Sequence, residues 1–349
     1  CQLIDVGTRP KPDAIWRLYE RLELDPKIAG CCGEIVPMNA KYWNFIEAAQ
    51  IVEYKYAHLF DKALESLVGY ITVLPGAFSA YRWKALQGNP LWKDYFKSIC
   101  HPEIMDAFNS NIYLAEDRVL CLALVTKANE AYLLTYVQNS VAETDIPSDI
   151  FKLLSQRRRW INGSWFALID NLKRWKKIRK SNHTPFRQMA FTFLIFYYTL
   201  NVVFSWLMVG GFYLAIAIGF RRLTMELGVE ALGKFATTTY TILLAVTFFL
   251  ALGVRPNQVE HAYKFLCWSF AVYIAIVILT LLYFVGVSAA NLEWAPFLML
   301  ITVFCFTFTP LVYKEFGTVM TNIVQFVLMT PTYVNIFMVY AICNTHDCT

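Results

Sequence analysis

The chain has 349 residues, 57% of them hydrophobic, 16% aromatic and only 16% charged, with a mean hydropathy of +0.42. Soluble domains carry about 25% charged residues, so the composition excludes a simple soluble enzyme. The aromatic and aliphatic content excludes disorder, and the length excludes a disulfide scaffold.

The shortfall of charge is uneven. Residues 1–186 hold 44 of the 57 charges, about 24% of positions, whereas residues 187–349 hold 13, about 8%. The second figure is that of a membrane segment, so the chain reads as a soluble part joined to a membrane part. The net +5 divides into −4 over 1–156, +9 over 157–187 and 0 over 188–349. A nucleic-acid site would spread basic groups over a folded face interleaved with aromatics. A single belt before the first apolar run instead fits the positive-inside rule and contact with anionic lipid. Membrane lipid is therefore expected as a partner and nucleic acid is not.

In chain order, residues 1–4 form a buried-strand pattern ending on Asp5, followed by Gly7, Pro10 and Pro12. Residues 13–24 predict a helix with Asp13 as its N-cap. Residues 28–36 predict a strand holding the pair Cys31–Cys32, which reads as core filling. Residues 43–60 predict an amphipathic helix with Glu47, Glu53, Lys55 and Asp61 on wet faces. Strands are expected at 69–73 and 78–83 around Leu74-Pro75-Gly76-Ala77, and at 112–115 before Glu116-Asp117-Arg118 and a helix through 125. A strand at 132–137 precedes a long helix opened by Asp145 and Pro147. Alternating strands and helices predict an α/β domain with a mostly parallel sheet.

Charge-free runs follow at 188–220, 235–254, 265–292, 294–313 and 316–345. Each reaches the ~20 residues that cross a bilayer, so about five spans are expected, the last interrupted by Pro331. Between the two parts, Ile150, Leu153, Leu154, Ile161, Leu168 and Leu172 form one apolar stripe beside Trp165 and Trp175. That pattern predicts an interfacial amphipathic helix. Nine scattered cysteines (1, 31, 32, 100, 121, 267, 305, 343 and 348) show neither CxxC pairs nor His/Cys metal spacing, which predicts reduced thiols. The chain opens at Cys1 in an apolar run without Met, so it reads as part of a longer protein.

Three clusters can carry chemistry. Asp5, at the carboxyl end of a buried strand and followed by Gly7, is placed to ligate a divalent cation bridging a diphosphate, or merely to cap a turn. Asp117, flanked by Glu116 and Arg118 at a helix start, is either an N-cap or a general base. Gln156, Arg159 and Trp160, at i, i+3 and i+4, share a helix face offering an amide, a diphosphate-reading fork and an aromatic plate for a sugar. The alternative for that stretch is a basic segment against anionic lipid. The turn at Pro75, Gly76 and Ala77 is a simple connection or a loop beside the acceptor. Within the apolar runs, Asn201, Asn322, Gln325, Thr330, Thr332 and Asn335 either join helices or line a polar path.

Several stretches occur in one order: Asp5-Val6-Gly7-Thr8, Gly33-Glu34-Ile35, Leu74-Pro75-Gly76-Ala77-Phe78-Ser79-Ala80-Tyr81-Arg82, Ala115-Glu116-Asp117-Arg118, Ala142-Glu143-Thr144-Asp145, Gln156-Arg157-Arg158-Arg159-Trp160 and Cys343-Asn344-Thr345-His346-Asp347. Together they resemble the chitin synthases, processive family-2 glycosyltransferases of fungi and oomycetes. The resemblance is close over residues 1 to about 170 and looser beyond.

It implies a cytosolic GT-A-type glycosyltransferase domain, its N-terminal part missing, over 1–147. An interfacial segment carrying the Gln-Arg-Arg-Arg-Trp motif and basic belt follows over 148–186, and an α-helical transmembrane domain over 187–349. The implied location is the plasma membrane. The implied reaction transfers N-acetylglucosamine from UDP-N-acetylglucosamine to a growing β-1,4 chitin chain with inversion, using Mg²⁺ or Mn²⁺. Asp5 would hold the metal and Asp117 would be the base. Glu116 and Arg118 would shape the acceptor site, and Gln156, Arg157, Arg159 and Trp160 would hold the diphosphate and acceptor sugar. The loop through Pro75, Gly76 and Ala77 would lie at the mouth of an export channel. A homo-oligomer stays open as an arrangement. The rival readings are a hyaluronan or cellulose synthase-like enzyme, and a membrane transporter or scaffold whose α/β part only binds nucleotide.

Overall fold

The computed structural model describes residues 1–96, 106–290 and 295–347. Five strands, β1 (Gln2–Ile4), β2 (Thr8–Pro10), β3 (Ile28–Pro37), β4 (Phe78–Tyr81) and β5 (Leu133–Thr144), form one sheet in the order β1-β4-β3-β5-β2. In β3 the run from Ile28 to Ile35 is buried throughout, as a strand covered on both faces requires. Cys31 and Cys32 lie within it, and burial pushes both thiols up to about 12, so they are packing groups. Helix α1 (Ala14–Leu24) covers one face through Leu18 and Leu22. The other face meets Tyr70, Ile71, Leu74 and Leu124, together with Phe191 and Leu194 from the first long apolar helix.

Only β3 and β5 run parallel; the β1–β4, β3–β4 and β2–β5 pairs are antiparallel. This corrects the mostly parallel expectation. Alternation of strands and helices encodes crossovers, not the direction in which short edge strands return, and here both edges return antiparallel.

The remaining helices described in this part are α2 (Phe45–Tyr56), continued by a π-helical turn over Ala57–Lys62, α3 (Ala63–Val68), α4 (Trp83–Leu86), a π-helical turn over Pro90–Tyr95, α5 (Ala107–Tyr113), α6 (Glu116–Val125) and α7 (Ile150–Arg174), which a 3-10 turn over Trp175–Lys180 follows. Residues 69–73 are irregular rather than a strand: Gly69 is the left-handed cap of α3, its amide and that of Tyr70 return to the Glu65 carbonyl, and the Val73 carbonyl accepts from the Lys62 ammonium at 2.5 Å. Residues 112–113 finish α5, a helix capped by Asp106, rather than forming a strand. Asp13 occupies the cap of α1 in a left-handed conformation but its side chain caps nothing. The long helix starts later than expected: its cap is Asp149, which accepts from the Phe151 amide at 3.0 Å.

Along α2 the expected wet faces are mostly dry. Glu47 is buried and accepts from the Lys41 amide (2.6 Å) and Asn44 Nδ2 (3.1 Å) at the helix start. Lys55 is buried between Glu34 (2.6 Å) and Glu315 (2.7 Å). Burial pulls the Lys55 pKa down, but the two carboxylates leave it raised. The partner of α2 is an apolar helix from the far end of the chain, so polar residues that face it need buried partners.

That far part comprises α8 (Pro185–Glu226), α9 (Glu230–Gly253), α10 (Glu260–Ala290), α11 (Ala295–Val312), α12 (Phe316–Thr332) and α13 (Val339–Cys343). Among the described residues four helical stretches are long and apolar enough to cross a membrane: Pro185–Glu226, Glu230–Gly253, Glu260–Val287 and Phe316–Cys343. The run at 294–313 yields α11, whose stretch Leu300–Val312 is apolar but short of a span, and residue 294 lies outside the described ones. In the stripe of α7, Ile150, Leu153 and Leu154 are buried in one apolar cluster with Phe220, Tyr263, Phe270, Ile336 and Phe337 from the C-terminal half, so protein rather than lipid covers them. Asn335 donates to Tyr240 Oη at 2.7 Å and thereby joins two apolar helices, whereas Asn201 is exposed. Seven cysteines are free, and Cys100 and Cys348 lie outside the described residues.

Candidate active site

Asp5 follows β1 directly, and the pairing of β1 with β4 brings it beside the Leu74–Ala77 turn. Its amide donates to the Ala77 carbonyl at 3.4 Å, while the Phe78 amide closes the turn onto Pro75 at 3.2 Å. A methyl group placed on Gly76 would lie 3.6 Å from Asp5 Oδ1. Glycine therefore leaves the space beside this exposed carboxylate open.

The other wall of that turn is α6. Glu116 and Asp117 sit in its first turn, where backbone N–H groups favour negative charge. Asp117 Oδ1 accepts from the Arg118 amide at 2.8 Å. Four residues on, and thus on the same helix face, Cys121 Sγ accepts from the Leu74 amide at 3.2 Å. One polar contact thus ties the helix that carries Asp117 to the turn that faces Asp5. Burial raises the Asp117 carboxyl against the pull of Arg118 and, more weakly, Lys62. Burial also lifts Glu116, to about 6, helped by Asp117 and Asp5. A raised carboxyl in the first turn of a helix beside Asp5 is suited to accept a proton.

Lys62 and Glu65, which sequence reading passed over, hold this arrangement from beneath. Lys62 pairs with Glu65 at 3.4 Å as well as with the Val73 carbonyl. Glu65, 1% exposed, accepts from Thr72 Oγ1 (2.5 Å) and Tyr198 Oη (2.7 Å) on the first long apolar helix. Their only local signal is a Lys–Glu spacing of three at the end of a helix, which most solvated helices also show.

Helix α7 brings in the Gln-Arg-Arg-Arg-Trp stretch. It crosses the start of α6 where a methyl group on Gly163 would meet Ala115 Cβ at 3.4 Å. One turn earlier, Trp160 is 41% exposed and Arg159 is exposed, so the expected face is open at these two residues, whereas the amide oxygen of half-buried Gln156 is buried. Arg157 and Arg158 turn inward instead. Arg157 pairs with Glu53 at 2.5 Å, and its guanidinium lies 4.4 Å from the Trp160 ring centre. Arg158 pairs with Asp347, Asn162 donates to the Ala341 carbonyl at 3.0 Å, and Asn111 donates to that of Thr345 at 2.8 Å. The Cys343–Asp347 stretch is thus seated between α5 and α7.

Asp5, Gly76, Glu116 and Asp117 are therefore brought to one edge, with Trp160 on the neighbouring helix. A hard divalent cation is usually held by one or two carboxylates together with substrate phosphates. Asp5 with its open flank fits that pattern. Among the described residues no three His, Cys, Asp or Glu side chains converge.

A family model described as a chitin synthase-like glycosyltransferase domain matches residues 1–175. Chitin synthase 2 of Rhizopus oligosporus is 37% identical over 390 aligned positions, covering 99% of this chain and 45% of that protein. Chitin synthase 1 of Fusarium oxysporum f. sp. lycopersici is 40% identical and that of Gibberella zeae 38%, each over 99% of this chain and 42% of the relative. The chain spans less than half the length of these curated relatives. On the matched domain and these identities, the chain belongs to the chitin synthase-like glycosyltransferases.

Proposed function

We propose that the protein of which this chain is part transfers N-acetylglucosamine from UDP-N-acetylglucosamine to the end of a growing chitin chain. The observation that carries the reading is the turn where Asp5 and Gly76 lie against the helix that carries Asp117, with the helix of Trp160 crossing that helix's start, in a chain of this family. Asp117 accepts the proton of the acceptor's 4-hydroxyl while that oxygen attacks the anomeric carbon. The bond to the diphosphate breaks on the opposite face, UDP leaves, and the new linkage is β. A raised carboxyl suits this task, since a base needs a pKa close to the working pH.

Asp5 would hold Mg²⁺ or Mn²⁺, which when bound neutralises charge on the leaving diphosphate. Glu116 and Arg118 border the acceptor, and the open face of Trp160 stacks its sugar while Gln156 and Arg159 reach the diphosphate. The Pro75–Ala77 turn adjoins the route by which product moves toward the long helices, which would thread the polymer outward. The basic 3-10 turn Trp175–Lys180 that follows α7 would meet the cytosolic surface of the plasma membrane, its exposed Lys176, Lys177, Arg179 and Lys180 facing anionic lipid.

The test is UDP release by the full-length protein in lipid, with UDP-N-acetylglucosamine compared against other UDP-sugars, with and without divalent cation. The reading expects release that is selective for the N-acetylglucosamine donor and gives a chitinase-sensitive product. Selectivity for another donor, or no sugar-dependent release, overturns it.

A further inference from the structure

We propose that Glu53 is a positioning residue for the acceptor plate: through Arg157 it fixes the Trp160 ring, and through Tyr333 it links that ring to the C-terminal apolar helix. The inference rests on the function proposed above and adds a residue and a connection to it.

Glu53 lies in the middle of α2, and its two carboxylate oxygens have separate tasks. Oε1 accepts from Arg157 Nη1 at 2.5 Å, and Oε2 accepts from the Tyr333 hydroxyl at 3.0 Å. Arg157 is 6% exposed, and its guanidinium stands 4.4 Å from the centre of Trp160 and 5.6 Å from that of Tyr333. A desolvated guanidinium over an aromatic face is attracted by the ring's quadrupole, most strongly for Trp. The Tyr54 ring, next to Glu53 in sequence, meets Trp160 edge-on at 6.4 Å. Trp160 is thus held by a guanidinium from α7 and a ring from α2, yet the residue remains 41% exposed. A gripped ring with a free surface is the arrangement a stacking platform needs.

A buried ion pair contributes little net stability compared with an apolar replacement of the same shape, whereas removing one partner strands the other charge. What the pair supplies is geometry. Without Glu53 the guanidinium has no carboxylate to hold it against Trp160, and the plate loses its fixed tilt. Tyr333 begins the π-helical turn that follows α12, and α12 packs along α2 through the Lys55–Glu315 pair. A displacement of that C-terminal helix therefore pulls on the carboxylate that positions the plate.

The test uses the full-length protein in lipid nanodiscs, with UDP release measured against a short chitooligosaccharide acceptor at saturating donor, and against donor at saturating acceptor. Glu53→Gln is expected to raise the acceptor KM about tenfold while donor KM and kcat change less than about twofold, because only acceptor binding is lost. Tyr333→Phe, which keeps the Arg157 pair, is expected to raise the acceptor KM by about two- to threefold. The double variant should match Glu53→Gln alone, since both changes act through one carboxylate. An unchanged acceptor KM, equal rises in both KM values, or additive effects would overturn the inference. If Glu53→Gln does not fold, Tyr333→Phe carries the same test of acceptor against donor. A wild-type protein without donor-dependent release defeats the parent reading; an active wild type with no acceptor effect defeats only the role of Glu53.

Discussion

The Leu74 amide donates to the Cys121 sulfur at 3.2 Å, and this bond joins the turn facing Asp5 to the helix that carries Asp117. Both groups are buried, and burial raises the Cys121 thiol far above its ordinary value, which keeps it neutral. Cys121→Ala leaves the Leu74 amide without an acceptor, a loss of about 1–3 kcal/mol for a buried donor. Cys121→Ser restores an acceptor and should recover most of it. Thermal midpoints of the two variants in detergent check this, and equal midpoints would show the bond to be incidental.

Glu116 supplies a pH signature. Its carboxyl is raised to about 6 by burial, Asp117 and Asp5, so the folded protein binds that proton more tightly than the unfolded chain, whose value is 4.5. Its contribution to stability is present below pH 4.5 and is lost as pH rises through 6. Glu116→Gln cannot ionise, so its thermal midpoint relative to wild type should climb between pH 4.5 and 7. An offset that stays constant across that range contradicts the raised carboxyl.

At the crossing of α6 and α7, Gly163 leaves room for little more than a methyl group against Ala115. Gly163→Ala should be tolerated. Gly163→Leu must separate the helices, and overpacking of this kind costs about 1–3 kcal/mol. Because the crossing sets where Trp160 stands relative to Asp117, UDP release should fall more steeply than the midpoint. A Leu variant with normal release would show that the spacing does not matter.

Trp160→Ala removes the exposed plate while leaving Asp5, Glu116 and Asp117 in place. Elongation should be lost before UDP release, because water can still accept the sugar. Product length and released UDP, measured on the same sample, separate the two. Their equal loss would make the ring purely structural.

How far this site was legible depends on the range of each contact. Glu116-Asp117 before an apolar run marks a helix start carrying carboxylates, and α6 begins there. The i, i+4 relation of Gln156 and Trp160 survives because α7 is one unbroken helix. What local pattern cannot carry is the partner. Glu53 looks like any polar residue of an amphipathic helix, yet its partners lie 104 and 280 positions away. Arg157 and Arg159 belong to one basic run, but only tertiary packing turns the first inward and the second outward. Residues 69–73 have strand-like side chains, and Tyr70 and Ile71 are indeed buried; the amides of Gly69 and Tyr70 nevertheless return to the end of α3. The apolar stripe of α7 was legible as a stripe, whereas its covering by the long helices was not.

The central claim is that Asp117 is the base. In the full-length protein in lipid, Asp117→Asn keeps the side chain's shape and its contact with the Arg118 amide but cannot take a proton. Transfer from UDP-N-acetylglucosamine should fall by about 10²–10⁴-fold, the usual worth of a positioned base, while donor affinity measured by calorimetry stays within about twofold. Near-normal polymer synthesis by Asp117→Asn would contradict the account.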